Sequence, residues 1–229
     1  LVGEINQRYL QLHSLSNDEL RFAFHRVAST INKSTNTNEA LNSNLKEVYA
    51  IIKETTRRFS LGDIIVTANE YDHALATQCC FIEIEKEKAC YKKTWFVAGK
   101  PFCWNLIPYD EQILGGILLH YGYAVEMATG EGKTLAAIFP TALNALSGKG
   151  VHVMTANDYL SKRDFELNSP IYLFLGLTVG CIENCSRKDA YRADITYGAN
   201  STFIFDYLHD HIEKSPEKFL QTKHNFAII

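Results

Sequence analysis

The sequence predicts an α/β protein in which helices cover a parallel sheet, with N-terminal helices and a small β-rich insertion placed before that sheet. Three observations carry this expectation. From Gln112 onward, short strand-like apolar runs alternate with helical ones. Before about Leu61 the apolar residues recur at helical spacing. Between Leu61 and Cys103 neither pattern holds, and aromatic and β-branched residues alternate with charged ones. The expected division is 1–60 for the helices, 61–103 for the β-rich insertion and 104–229 for the sheet domain.

The first predicted helix starts at Ser16, with Glu19 completing a capping box and Leu15 and Leu20 placed as a hydrophobic staple. Leu20, Phe24, Val27 and Ile31 form its apolar stripe. Asn32 to Asn38 is polar and reads as a linker. A second helix carries Leu45, Val48, Tyr49, Ile52 and Phe59 on one stripe. In the insertion, Ile64 to Val66 is a short strand. Phe81 to Glu85 and Cys90 to Val97 form a hairpin around the charged turn Lys86-Glu87-Lys88. Its expected place is outside the continuous core. The later strands are Ala124 to Glu126, Val151 to Thr155, Thr178 to Ile182, Asp194 to Tyr197 and Phe226 to Ile229. The helices between them are Lys133 to Leu146, Tyr159 to Leu175 and Thr202 to Ile212. An apolar strand as the last element, and a start without Met, imply a piece cut from a longer chain.

With 46% hydrophobic residues in 229, a sizeable core is available. Charge is nearly balanced, 23 basic against 26 acidic side chains, and a net −3 offers no basic surplus for nucleic acid. No apolar run approaches the ~18–20 residues that span a bilayer, and the first residues lack the pattern of a signal peptide. Six cysteines at spacings that match neither a disulfide framework nor a zinc site read as reduced thiols.

The chemistry concentrates at Met127-Ala128-Thr129-Gly130-Glu131-Gly132-Lys133-Thr134, between a predicted strand and a predicted helix. That is the setting of a phosphate-binding loop. Gly130 and Gly132 allow the tight turn that brings backbone N–H groups to phosphate oxygens, and the helix from Lys133 aims its positive end there. Lys133 supplies a cation for the β- and γ-phosphates, and the Thr134 hydroxyl is placed to hold Mg²⁺. Met127 stands where the general pattern has Gly; a bare Gly-rich turn at a helix start is the competing reading.

This loop resembles that of the SecA family of preprotein translocase ATPases, whose version reads M-x-TGEGKT. Tyr109-Asp110-Glu111-Gln112 with Leu114-Gly115-Gly116 is similar to the family's F-D-x-Q-L-x-GG. Leu143 to Leu146 with Gly148 to Val153 is similar to LNALTGKGVHVVT, and Asn157 to Leu160 with Arg163-Asp164 to NDYLAxRD. Leu175 to Val179, Ala193 to Gly198, Phe205 to Leu208 and Leu15 to Arg21 also fit, leaving the resemblance weakest over Leu61 to Cys103. His209 replaces a family Arg and Ile204 a family Gly. His209 and His211 raise a metal question, but on a helix two imidazoles two positions apart diverge by about 200°.

The resemblance implies a RecA-like P-loop NTPase fold, the first helicase-type motor domain, ending before an acidic DEVD motif. It implies ATP and Mg²⁺ as cofactors, held by Thr129, Gly130, Glu131, Gly132, Lys133 and Thr134, with Lys133 and Thr134 catalytic. Gln112 is then the adenine-recognising glutamine; an exposed surface Gln is the alternative. Tyr109 either stacks near the base or packs in the core. Asn157, Asp158 and Arg163 form either a helicase-like motif or a capped helix start. The implied function is a motor ATPase that drives preproteins through the Sec channel of the bacterial plasma membrane. The implied setting is cytoplasmic and peripheral, against anionic lipid, as a homodimer at full length and without nucleic acid. A nucleic-acid helicase-type ATPase is the alternative, since the motor core is shared. The isolated stretch is expected to be nearly inert, because phosphoryl transfer needs the remaining motor parts.

Overall fold

The Ser16 hydroxyl accepts from the Glu19 N–H and the Glu19 carboxylate accepts from the Ser16 N–H, so a helix starts where the capping box places it. In the computed structural model, which describes residues 1–221 and 224–229, this helix is the second. An unpredicted α1 (Val2–Leu12), burying Ile5 and Leu12, precedes α2 (Asn17–Lys33) and α3 (Thr37–Leu61). The stripe read from Leu45 to Phe59 is buried along its length.

The β-rich insertion holds β1 (Ile64–Thr67), an unpredicted α4 (Glu70–Ala76), β2 (Ile82–Glu85), β3 (Lys88–Tyr91), β4 (Thr94–Val97) and β5 (Lys100–Cys103). The first three strands pair antiparallel in the order β1-β3-β2, and β4 pairs with β5 in a separate hairpin. The run Cys90 to Val97 is therefore split between two sheets. The β4–β5 turn, Ala98-Gly99, has φ values of 50° and 75°, both positive as a two-residue hairpin turn of matching twist requires.

This segment lies outside the parallel sheet, but not outside the core. Trp95, Tyr91 and Ala89 belong to one apolar cluster with Phe24, Phe59 and Phe174. Trp95 stacks on Trp104, and the Trp104 indole N–H donates to the Thr56 and Leu106 carbonyls. The fully buried Asp72 of α4 receives both terminal nitrogens of Arg21 and the Tyr91 hydroxyl. The expectation of a segment set apart from the core is thus corrected: amphipathic strands this short have to bury their apolar face against the neighbouring helices.

The remaining elements are α5 (Asp110–His120), α6 (Lys133–Ala145), β6 (Val151–Thr155), α7 (Asp158–Phe174), β7 (Val179–Cys181), α8 (Arg187–Arg192), β8 (Ile195–Ala199), α9 (Asn200–Ile212) and β9 (Phe226–Ile228). The four strands form a parallel sheet in the order β7-β8-β6-β9. Val151 pairs with Ile195 on one side and Phe226 on the other. Every residue of β8 is buried, as expected for an inner strand of a helix-covered sheet.

Two differences from the sequence reading bear on the site. Ala124 to Glu126 does not pair with any described strand, and this largely exposed stretch runs as irregular chain. Three residues become a strand only where a neighbour supplies the ladder. Conversely, α5 forms despite the Gly115-Gly116 pair, which opposes helix in isolation. A Cβ at Gly116 would stand 2.9 Å from the Ala136 carbonyl oxygen, so the missing side chain lets α5 lie directly on α6. The Tyr49 hydroxyl donates to the Gly116 carbonyl at 2.8 Å and fixes the contact from α3.

Candidate nucleotide site

The candidate phosphate loop, Met127 to Thr134, enters α6 at Gly132, which caps that helix in the left-handed region at φ 83°. Gly130 is also left-handed, at φ 90°. Gly132 is constrained twice, because a Cβ there would meet the Gln112 Nε2 atom at 2.3 Å. Among the described residues no group accepts from the backbone N–H of Gly132, Lys133 or Thr134. Unpaired donors at the positive end of a 13-residue helix are the arrangement that favours an anion.

The rest of the loop is held from within. The Ala128 N–H donates to the Glu131 carboxylate at 2.7 Å. The Lys133 ammonium donates to the Ala128 carbonyl at 3.1 Å, a neutral partner that leaves its charge uncompensated. Thr129, Gly130, Glu131 and Lys133 are exposed, and Thr134 is half-buried.

Gln112 is buried, not a surface residue. Its Oε1 accepts from the Tyr109 N–H at 2.9 Å, and its Nε2 donates to the Glu131 carbonyl at 2.9 Å. It therefore joins the first turn of α5 to the phosphate loop across 19 positions of sequence. Beside it lies a cavity of about 340 Å³ whose lining includes Gln112, Gly130, Gly132, Thr134, Asn105 and Leu167. Tyr109, 72% exposed, also lines this cavity, so its core reading is set aside.

Asn105, Ile107 and Leu167 were not anticipated. The first two lie just before the Tyr109-to-Gly116 motif and could have been found from that proximity. Leu167 comes from α7, and no local signal marks it.

Elsewhere, Asn157 is the α7 cap, its side chain accepting from the Leu160 N–H at 2.9 Å, while Arg163 pairs with its neighbour Asp164. His211 bonds the Tyr207 carbonyl and His209 approaches Asp210, so the two imidazoles serve different partners. A second cavity of about 390 Å³, lined by His152, Phe203, Tyr207 and His224, contains none of the predicted residues. Burial and the neighbouring His224 push the His152 imidazole down to about 4, so it is a neutral wall of that apolar space.

The SecA DEAD-like domain family matches residues 1–229, the β-rich insertion included. The weak resemblance over Leu61 to Cys103 is therefore no break in the match. A protein translocase subunit SecA of Amoebophilus asiaticus is 44% identical over 240 residues, covering 100% of this chain and 21% of that relative. The SecA subunit of Parabacteroides distasonis is 49% identical over 195 residues, with 82% of this chain and 17% of the relative covered. That of Porphyromonas gingivalis is 50% identical over 191 residues, covering 81% and 17%. The chain spans about a fifth of the length of these curated relatives. The chain belongs to the SecA DEAD-like domain family.

Proposed function

We propose that this chain is the ATP-binding part of a motor that couples ATP hydrolysis to preprotein movement through the Sec channel of the bacterial plasma membrane. The observation that carries this is the Gln112 bond to Glu131, beside a cavity that adjoins N–H groups at the start of α6 without partners among the described residues. The residues fit ATP with Mg²⁺. Gly132, Lys133 and Thr134 N–H groups would receive the phosphates, Lys133 would add a cation, and the Thr134 hydroxyl would hold the metal. Bound MgATP supplies the transferable phosphoryl group and its leaving group.

The chain's own contribution is positional. Gly130 and Gly132 keep side chains away from the approach, and the Ala128–Glu131 bond holds the loop's shape. Gln112 spends its Oε1 on Tyr109 and one Nε2 hydrogen on Glu131, so one N–H and one lone pair remain for adenine. This stretch alone is proposed to turn ATP over far more slowly than the intact protein, since phosphoryl transfer draws on groups from the other motor half.

The proposed partners are a preprotein, the Sec channel and anionic lipid, in a full-length homodimer at the cytoplasmic face of the membrane. Among the described residues no helix is long and apolar enough to cross a membrane. The proposed division is 1–60, 61–103 and 104–229. ATPase activity of the intact protein, measured with preprotein and channel-containing membranes or with RNA or DNA, tests the reading. Stimulation by preprotein and channel is expected. Stimulation by nucleic acid alone would replace the translocation motor with the helicase-type alternative.

A further inference from the structure

Asp110 is the first residue of α5, two positions ahead of Gln112, and its carboxylate is bound from two other helices. The Asn6 side chain of α1 donates through Nδ2 to Asp110 Oδ1 at 2.9 Å. The same side chain accepts, through Oδ1, from the Lys53 ammonium of α3 at 2.8 Å. Lys53 Nζ stands 3.7 Å from Asp110 Oδ1, which closes a triangle. Lys53 is 8% exposed, and its ammonium also lies 5.1 Å from the Tyr9 ring centroid. An amide suits the middle place, because it accepts from the cation and donates to the anion at once. Burying the Lys53 ammonium is costly without a partner, and Asn6 supplies it, while Asp110 stays 60% exposed and is reached mainly through the Asn6 amide.

The triangle does not end at Asp110. The next contacts are Tyr109 N–H to Gln112 Oε1 and Gln112 Nε2 to the Glu131 carbonyl. A cavity of about 610 Å³ lined by Tyr9, Lys53 and Asp110 shares Asn105, Ile107 and Tyr109 with the cavity beside the phosphate loop.

We propose that Asn6, Lys53 and Asp110 are positioning residues for the nucleotide site. They tie α1 to the first turn of α5, and through Gln112 to the phosphate loop, so this contact at the start of α5, and not the packing of α1 in general, sets nucleotide affinity. The proposal rests on the nucleotide reading given above. It makes the N-terminal helix a place from which affinity can be tuned without contact with the ligand.

The test measures binding of a fluorescent ATP analogue, and KM and kcat for ATP, in the intact protein. Asn6→Ala and Lys53→Met should weaken binding and raise KM by about tenfold, the size of one lost charge-assisted hydrogen bond, with kcat little changed. Asp110→Asn, whose amide oxygen still accepts from Asn6, should retain most of the affinity. Arg8→Ala is the control, since it breaks a different α1–α3 pair, Arg8 with Glu47, and should lower stability alone. The proposal is overturned if Asn6→Ala binds as the parent does, or if Arg8→Ala weakens binding equally. Lys133→Ala, run beside them, separates the two levels. Loss of binding or turnover in Lys133→Ala with a silent Asn6→Ala removes the triangle only. A silent Lys133→Ala removes the nucleotide reading and the triangle with it.

Discussion

The Arg21–Asp72–Tyr91 cluster and the phosphate loop are both polar, and they use their polar groups in opposite ways. In the cluster every charge faces inward and finds a partner. Arg21 donates to both Asp72 oxygens, to the Tyr91 hydroxyl and to the Phe174 carbonyl, with Asp72 fully buried. In the loop the groups face outward. Among the described residues, exposed Lys133 bonds a carbonyl and no charge, and three N–H groups at the start of α6 keep their hydrogens unused. A saturated polar network fixes a fold, whereas an unsaturated one at the surface can take a ligand. The Asn6–Lys53–Asp110 triangle lies between these cases: Lys53 is buried against Asn6, Asp110 stays 60% exposed, and the group is joined to the unsaturated loop through Gln112.

The largest effect should come from breaking the saturated side. Asp72→Ala leaves the Arg21 guanidinium buried without its anion and should cost about 3–5 kcal/mol. Chemical denaturation checks this; a loss under 1 kcal/mol would show that the cluster relaxes or hydrates. The same carboxyl gives a pH signature. Burial alone would raise it, but hydrogen bonds from Arg21 and Tyr91 more than offset this and hold it below the ordinary aspartate value. Its contribution is complete above the unfolded value, ~3.9, and is lost as pH falls through the lower folded value. Asp72→Asn should therefore flatten the acid limb of the stability profile.

Breaking the unsaturated side should spare the fold and remove activity. Lys133→Ala should reduce ATP turnover on the order of 10²–10³-fold through loss of transition-state charge stabilisation. Its denaturation midpoint should stay near that of the parent, because Lys133 is exposed. Turnover near the parental rate would sink the loop assignment.

Gln112→Ala tests the joint between the regions. It removes the bond to Glu131 and the proposed adenine contact, and should weaken ATP binding about tenfold while narrowing the ATP over GTP preference. Competition binding decides: equal weakening for both nucleotides would leave Gln112 as a loop support without a role in base choice.

The elements legible in the sequence are those whose cause is local. Ser16 with Glu19 marks a helix start through bonds made within one turn. The turn before α6 was readable because Gly130 and Gly132 take the left-handed conformation that the motif's spacing demands. Strand positions from Val151 onward followed from short apolar runs bounded by turns. The failures have the opposite character. Ala124 to Glu126 has strand-like composition but no partner among the described strands, and α5 overcomes two adjacent glycines because α6 accepts their close approach. The β-rich insertion has the expected hairpin, yet its place in the core depends on Arg21 reaching Asp72 across 51 positions.

For the proposed site, the sequence motif supplies the candidate cation, hydroxyl and turn. Its surroundings came from elsewhere in the chain. Leu167 lines the cavity because α7 packs there, and Gln112 meets Glu131 where Gly116 lets α5 settle on α6. Backbone conformation and charge act over a few residues and can be read along the chain. Burial and side-chain partnership are properties of surfaces brought together, and packing alone turned Gln112 from a motif letter into a bridge.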